Sequence, residues 1–174
     1  LAMGLRCWTH VSVSTFLPLM LVSAGYSKLI SGTLLTLFLA GCALGGITGG
    51  ALGDRFGHKR IILVALICSI VPTAYFFTHA GTAPVSLVAL FLSGAFLIAS
   101  QPSSIVWAQR AMPGSAGMAS GMMMGLSFGL GSLGAALTAA IADHIGLETA
   151  LLLTTIPLIL SVFVAAATPY PERN

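Results

Sequence analysis

Apolar residues run along this chain in long blocks at 1–24, 29–52, 60–79, 84–110, 117–142 and 147–168. Each block is close to the roughly 20 residues that a helix needs to cross a bilayer. The separators are short: GYSK, DRFGHK, HAGTAP, AMPGSAG and DHIGLE. Their glycines and prolines mark helix ends. The pattern predicts an all-α membrane protein of six transmembrane helices. Barrel strands alternate apolar and polar positions, and blocks without that alternation exclude a barrel. The opening LAMGLRCWTH has no start methionine followed by a basic region. It predicts a chain that begins inside a helix rather than a cleavable leader.

A second pattern is superimposed on the first. Gly41, Gly45, Gly49, Gly53 and Gly57 keep a spacing of four through the second block, and Gly117, Gly121, Gly125 and Gly129 do so in the fifth. Small residues at this spacing let helix backbones approach closely in lipid. The second block ends in Asp54-x-x-Gly57 and the fifth in Asp143-x-x-Gly146. The chain therefore reads as two copies of a three-helix unit, 1–79 and 84–168, followed by a tail at 169–174. Three spans per copy is odd, so the copies must be inverted relative to each other, as in many transporters.

Composition sharpens this. Charged residues make up 6% of the 174 positions and 57% are hydrophobic, where a soluble domain is about 25% charged. The lipid bilayer is the main solvent. The formal net charge of +3 is small and the basic residues lie near block ends, so a nucleic-acid partner has no support. Arg6, Arg55, Lys59, Arg60, Arg110 and Arg173 fall on one side, and Lys28 alone on the other. The positive-inside bias puts both termini in the cytoplasm. Cys7, Cys42 and Cys68 sit singly in apolar blocks and read as buried small residues rather than ligands. No metal or bound cofactor is expected.

GGALGDRFGHKR, residues 49–60, resembles the G-x-x-x-D-R-x-G-R-K/R loop signature of the major facilitator superfamily. There the loop joins the second and third helices of a half, which is its place here. The stretch WAQRAMPGSAGMASGMMMGLSFGLGSLGAALTAAIADHIGLE, 107–148, is similar to the fosmidomycin-resistance subfamily of drug exporters. The order AQ-x-x-x-PG, GMASG, GLG-x-LGAAL, ADHIGL carries that likeness. Arg110 departs from it, since the subfamily usually has an acidic residue after the Ala-Gln pair. The resemblance implies the C-terminal six-helix half of a transporter in a bacterial plasma membrane, with an N-terminal half missing from this chain. It implies a secondary active transporter, not an enzyme. The activity would be efflux of a small drug-like or anionic compound by alternating access, with the proton gradient as energy source.

In that fold the second and fifth helices of each half meet the other half. Gly41, Gly45, Gly49, Gly117, Gly121, Gly125 and Gly129 are therefore expected at the seam; the alternative is that the two ladders pack on each other or on neighbours within this chain. Gly53, Asp54, Arg55, Gly57, Lys59 and Arg60 would form a latch holding one conformational state. Their bland alternative is a solvated turn whose cations anchor topology. Asp54, at a helix C-terminus, is disfavoured by the dipole and needs a partner, for which Arg55, Lys59 and Arg60 are near in sequence.

Arg6 lies 19 residues before Gly25, about 28 Å along a helix. That places it near the cytoplasmic edge of the first span. It either snorkels to the interface or forms a cation at a cavity mouth, with His10 one turn deeper. His10 is a proton acceptor or a structural residue. Pro102 predicts a kink, and Gln101 beside it comes to nearly the depth of Arg6. Arg6, His10, Gln101 and Gln109 are the candidate cavity lining; local satisfaction of the broken backbone is the alternative.

Asp54, Asp143, Glu148 and Glu172 all lie at helix ends or in the tail, so no carboxylate sits at mid-membrane. Two other classes remain to weigh. A self-contained six-helix channel or assembly protein fits the span count. Gly125-x-Ser127-x-Gly129 matches a hydrolase motif, but that nucleophile needs a strand-to-helix turn. His144, 17 residues on, is about 25 Å away on a helix.

Overall fold

The computed structural model describes residues 1–169, as seven helices. The expected tail at 169–174 falls outside the described residues from 170 onward, and with it Glu172 and Arg173. In order the helices are α1 (Ala2–Ser23), α2 (Lys28–Phe56), α3 (His58–Thr78), α4 (Pro84–Ala111), α5 (Ala116–Ile145), α6 (Leu147–Leu153) and α7 (Thr155–Ala167). Among the described residues, six stretches are long and apolar enough to cross a membrane, α6 and α7 together forming the sixth. Large apolar side chains such as Leu29, Ile47, Val71 and Phe163 point outward. An outer surface of this kind is stable in lipid and not in water.

Two helix junctions are tighter than the sequence predicts. The expected loop at 54–60 is reduced to Gly57, because α2 continues through Asp54, Arg55 and Phe56 and α3 begins at His58. Asp54 and Arg55 are exposed in the last turn of α2, where helix costs them nothing in burial. Gly57 then stops the helix at φ +94° and ψ 132°, a conformation that other residues adopt only with strain. Its N–H bonds back to Gly53 at 3.0 Å. Gly146 repeats this between α5 and α6, with φ +86°, ψ 153° and an N–H bond to Ala142 at 2.9 Å. Asp143 and His144 accordingly sit in the last turn of α5, both exposed.

The sixth span, continuous in the apolar pattern, breaks at Thr154. Pro157 has no N–H to offer the carbonyl of Leu153, and its ring crowds that carbonyl. Thr154 Oγ1 bonds back to Leu151 at 2.6 Å, and Thr9 Oγ1 of α1 donates to the carbonyl of Thr154 at 2.7 Å. The break is thus held from α1. Pro102, by contrast, lies within an uninterrupted α4.

The helices associate by exchange between the two parts of the chain. α2 packs along α4, and α5 along α1. A Cβ on Gly41 would strike the carbonyl of Phe91, on Gly45 the backbone of Ala95, on Gly49 that of Ala99, and on Gly53 the hydroxyl of Ser103. Partners advance by four on both helices at each step, so α2 and α4 run parallel. The α1–α5 contact is parallel too: Gly4 meets Leu130, Cys7 meets Gly131 and Trp8 meets Gly134. Polar bonds tie this second pair. Trp8 Nε1 donates to Thr138 Oγ1 at 2.8 Å, and Ser12 Oγ lies 3.2 Å from the same oxygen.

This corrects one expectation. Gly41, Gly45 and Gly49 do not face another half; α4 of the same chain covers them, because their missing side chains let two backbones touch. Gly117, Gly121, Gly125 and Gly129 differ. All four are exposed, and a Cβ on any of them would meet nothing within 4 Å. One further correction concerns cysteine: Cys7 and Cys42 are buried as expected, while Cys68 is exposed on α3.

Candidate functional site

Two polar clusters stand out in the apolar body. The first lies between α1 and α4. Arg6 is fully buried at 0% exposure, so it neither snorkels to an interface nor anchors topology. Its Nη1 donates to the carbonyl of Leu97 at 2.8 Å and its Nη2 to Cys7 Sγ at 3.0 Å; Nη2 also bonds Gln101 Oε1. Gln101 is 8% exposed. Three buried nitrogens here have no hydrogen-bond partner: Arg6 Nε, Gln101 Nε2 and His10 Nδ1. The His10 ring stacks on Phe38 of α2 with centroids 5.8 Å apart.

Arg6 and Gln101 thus come together; His10, one turn further along α1, is held against Phe38 instead, and Gln109 does not join them. Two turns further along α4, its amide donates to Ser120 of α5 at 2.8 Å. A cavity of about 350 Å³ adjoins the cluster, lined among others by Met3, Ser104, Trp107, Met123 and Val164. None of the four expected lining residues reaches its wall. Met3 and Ser104 do, each one helical turn from Arg6 and Gln101.

The second cluster joins the α2–α3 junction to α4. Asp54 Oδ1 lies 3.7 Å from His58 Nε2, and His58 Nδ1 lies 3.2 Å from Ser103 Oγ. The partner of Asp54 is therefore His58, and not the expected Arg55, Lys59 or Arg60. Arg55 stands over the ring of Phe56 at 5.4 Å. Gly53 makes the cluster possible: a Cβ there would sit 2.8 Å from His58 Nδ1 and collide with Ser103. The signal available beforehand was the register itself. Gly53 continues the ladder that Gly41 begins, so whatever follows Gly53 is pressed against α4.

The residue types in this cluster are those of a hydrolytic triad, but Ser103 is completely buried and no substrate carbonyl can reach it. Ser127, of the hydrolase-like motif, lies buried in the middle of α5, with His144 exposed at the end of the same helix. Neither serine is placed as a nucleophile.

The six apolar spans, their outward apolar side chains and the enclosed polar clusters define a multi-pass helical membrane protein. Its sequence matches the profile of the Major Facilitator Superfamily over residues 1–174, and the chain belongs to that superfamily of transporters. It is 40% identical over 111 residues to an uncharacterized MFS-type transporter, YfnC, of Bacillus subtilis (strain 168), and 36% identical over 112 residues to the fosmidomycin resistance protein of Escherichia coli (strain K12). Each alignment takes in 64% of this chain and 27% of the relative. The tetracenomycin C resistance and export protein of Streptomyces glaucescens is 30% identical over 129 residues, 74% of this chain and 24% of that protein. The chain thus spans only a fraction of the length of the curated relatives it matches.

Proposed function

We propose that this chain is the C-terminal half of a proton-driven exporter of small drug-like molecules in a bacterial plasma membrane. It would work by alternating access together with an N-terminal six-helix half. The observation that carries this reading is the superfamily match across the whole chain, joined with two relatives named for drug resistance. Two features support the organisation as inverted repeats at 1–79 and 84–168. Gly57 and Gly146 share one unusual backbone conformation, and the second helix of each part packs on the first helix of the other. The cations at the α2–α3 junction and at the end of α4 support cytoplasmic termini. Energy would come from the proton gradient, with no bound cofactor.

Asp54, His58 and Ser103 would serve as the latch. They connect the junction of two helices to the helix that carries Gln101, so a change at one end is felt at the other. The test is expression of the full-length protein in a fosmidomycin-sensitive bacterium. The reading predicts a severalfold rise in the inhibitory concentration and drug efflux that collapses when an uncoupler removes the proton gradient. Unchanged sensitivity, together with no drug-driven proton movement in proteoliposomes, would contradict it.

A further inference from the structure

On the outer surface a groove of about 110 Å³ lies where α2, α3 and α4 meet. Gly45 and Gly49 of α2 and Ala95 and Ala99 of α4 form its floor. These are residues whose backbones touch, and they carry too little side chain to fill the space above them. Leu52 of α2 and Val64 of α3 stand at its sides, and both are exposed. Cations gather at one end of it. Arg55 is three residues beyond Leu52 and Arg60 four before Val64; residues at these spacings share a helix face. Lys59 adjoins them in sequence. Arg55 and Arg60 are exposed. Among the described residues the carboxylate beside them, Asp54, meets His58, and none of the three cations forms an ion pair. An apolar groove open to lipid, with unpaired cations at its end, matches one kind of molecule in both shape and charge.

We infer that the groove between α2, α3 and α4, with Arg55 and Arg60 at its mouth, is a binding site for an anionic phospholipid. The guanidinium groups take the headgroup phosphate, to which arginine bonds through paired N–H donors. One acyl chain lies in the groove between Leu52 and Val64. Long cationic side chains at a helix end reach the headgroup level while their stems stay on apolar surface. Each cation near an anionic lipid surface strengthens attraction about fivefold. Charge therefore selects the anionic headgroup, and the groove fixes where that lipid sits. The inference requires only that the chain is embedded in a bilayer; it stands apart from the transport reading.

The experiment is native mass spectrometry of the purified full-length protein, incubated with equal amounts of phosphatidylglycerol and phosphatidylcholine bearing the same acyl chains. The expected result is preferential retention of phosphatidylglycerol. The double variant Arg55→Gln, Arg60→Gln keeps Lys59 as a topology anchor and should bind that lipid at least about fivefold more weakly. Val64→Trp fills the groove from an exposed position and alters no charge; a loss of similar size is expected. Equal retention of the two lipids by the unaltered protein would overturn the site. Undiminished phosphatidylglycerol binding in the double variant would do so too, because the headgroup would then lie elsewhere. The same result in Val64→Trp would mean that surface charge alone holds the lipid or that another segment of the protein fills the groove, and either overturns the site. Should the double variant fail to fold, Val64→Trp decides alone. Loss of the lipid site would leave the exporter reading standing, and absence of drug efflux would leave the lipid site standing.

Discussion

Gly53 has no side chain, and much of the candidate latch depends on that. Its absent Cβ is what lets His58 reach Ser103 across the α2–α4 contact. The Asp54 carboxylate on the other side of His58 is 79% exposed, and a carboxylate so well solvated contributes at most about 1 kcal/mol through such a contact. Asp54→Asn should therefore leave thermal stability within about 1 kcal/mol of the original while lowering transport. Unaltered efflux by that variant would remove the latch role. Gly57 is constrained in another way. Its positive φ makes Gly57→Ala cost about 1–3 kcal/mol, read as a lower unfolding temperature in detergent. Thr138 illustrates a third type of dependence. Its hydroxyl receives Trp8 Nε1 and adjoins Ser12, so Thr138→Val should destabilise by roughly 0.6–1.7 kcal/mol, the range for interhelical bonds in lipid.

At the scale of helices, the two glycine ladders look alike in sequence and part company in structure. The α2 ladder is consumed by α4, backbone against backbone; the α5 ladder at 117–129 faces outward. Substitution separates them. Gly45→Leu forces a side chain into the Ala95 backbone and should cost more than the 1–3 kcal/mol typical of overpacking, with poor recovery of folded protein. Gly125→Leu meets open space and should leave the six-helix unit as stable as before. Equal damage from both substitutions would refute this division. Spacing alone could not tell the ladders apart, because a repeat of four says that a neighbour comes close and not which neighbour. The span boundaries were legible because length and hydropathy dictate them. The break at Thr154 was missed because Pro157 lay in an apolar run whose hydropathy never falters, and only the bond from Thr9 shows that the break is supported. Arg6 kept two readings for a related reason: depth along a helix can be counted, but the face it turns inward cannot.

For the molecule as a whole, the parallel α2–α4 and α1–α5 contacts account for how six helices close on themselves, and they leave α5 with an uncovered glycine face. On the function proposed above, that face is where a second six-helix half would dock. The fold class and family were readable from the sequence, since the loop signature and the block lengths are local features. Which helix faces were already occupied depended on three-dimensional register, which covers the α2 ladder and leaves the α5 ladder open. The most direct test places a photo-crosslinking residue at position 125 of the full-length protein in membranes. The account predicts an adduct with a segment of the same protein outside residues 1–174, whereas the same residue at position 71, on the outward face of α3, yields adducts with lipid. Lipid adducts alone at position 125 would contradict it.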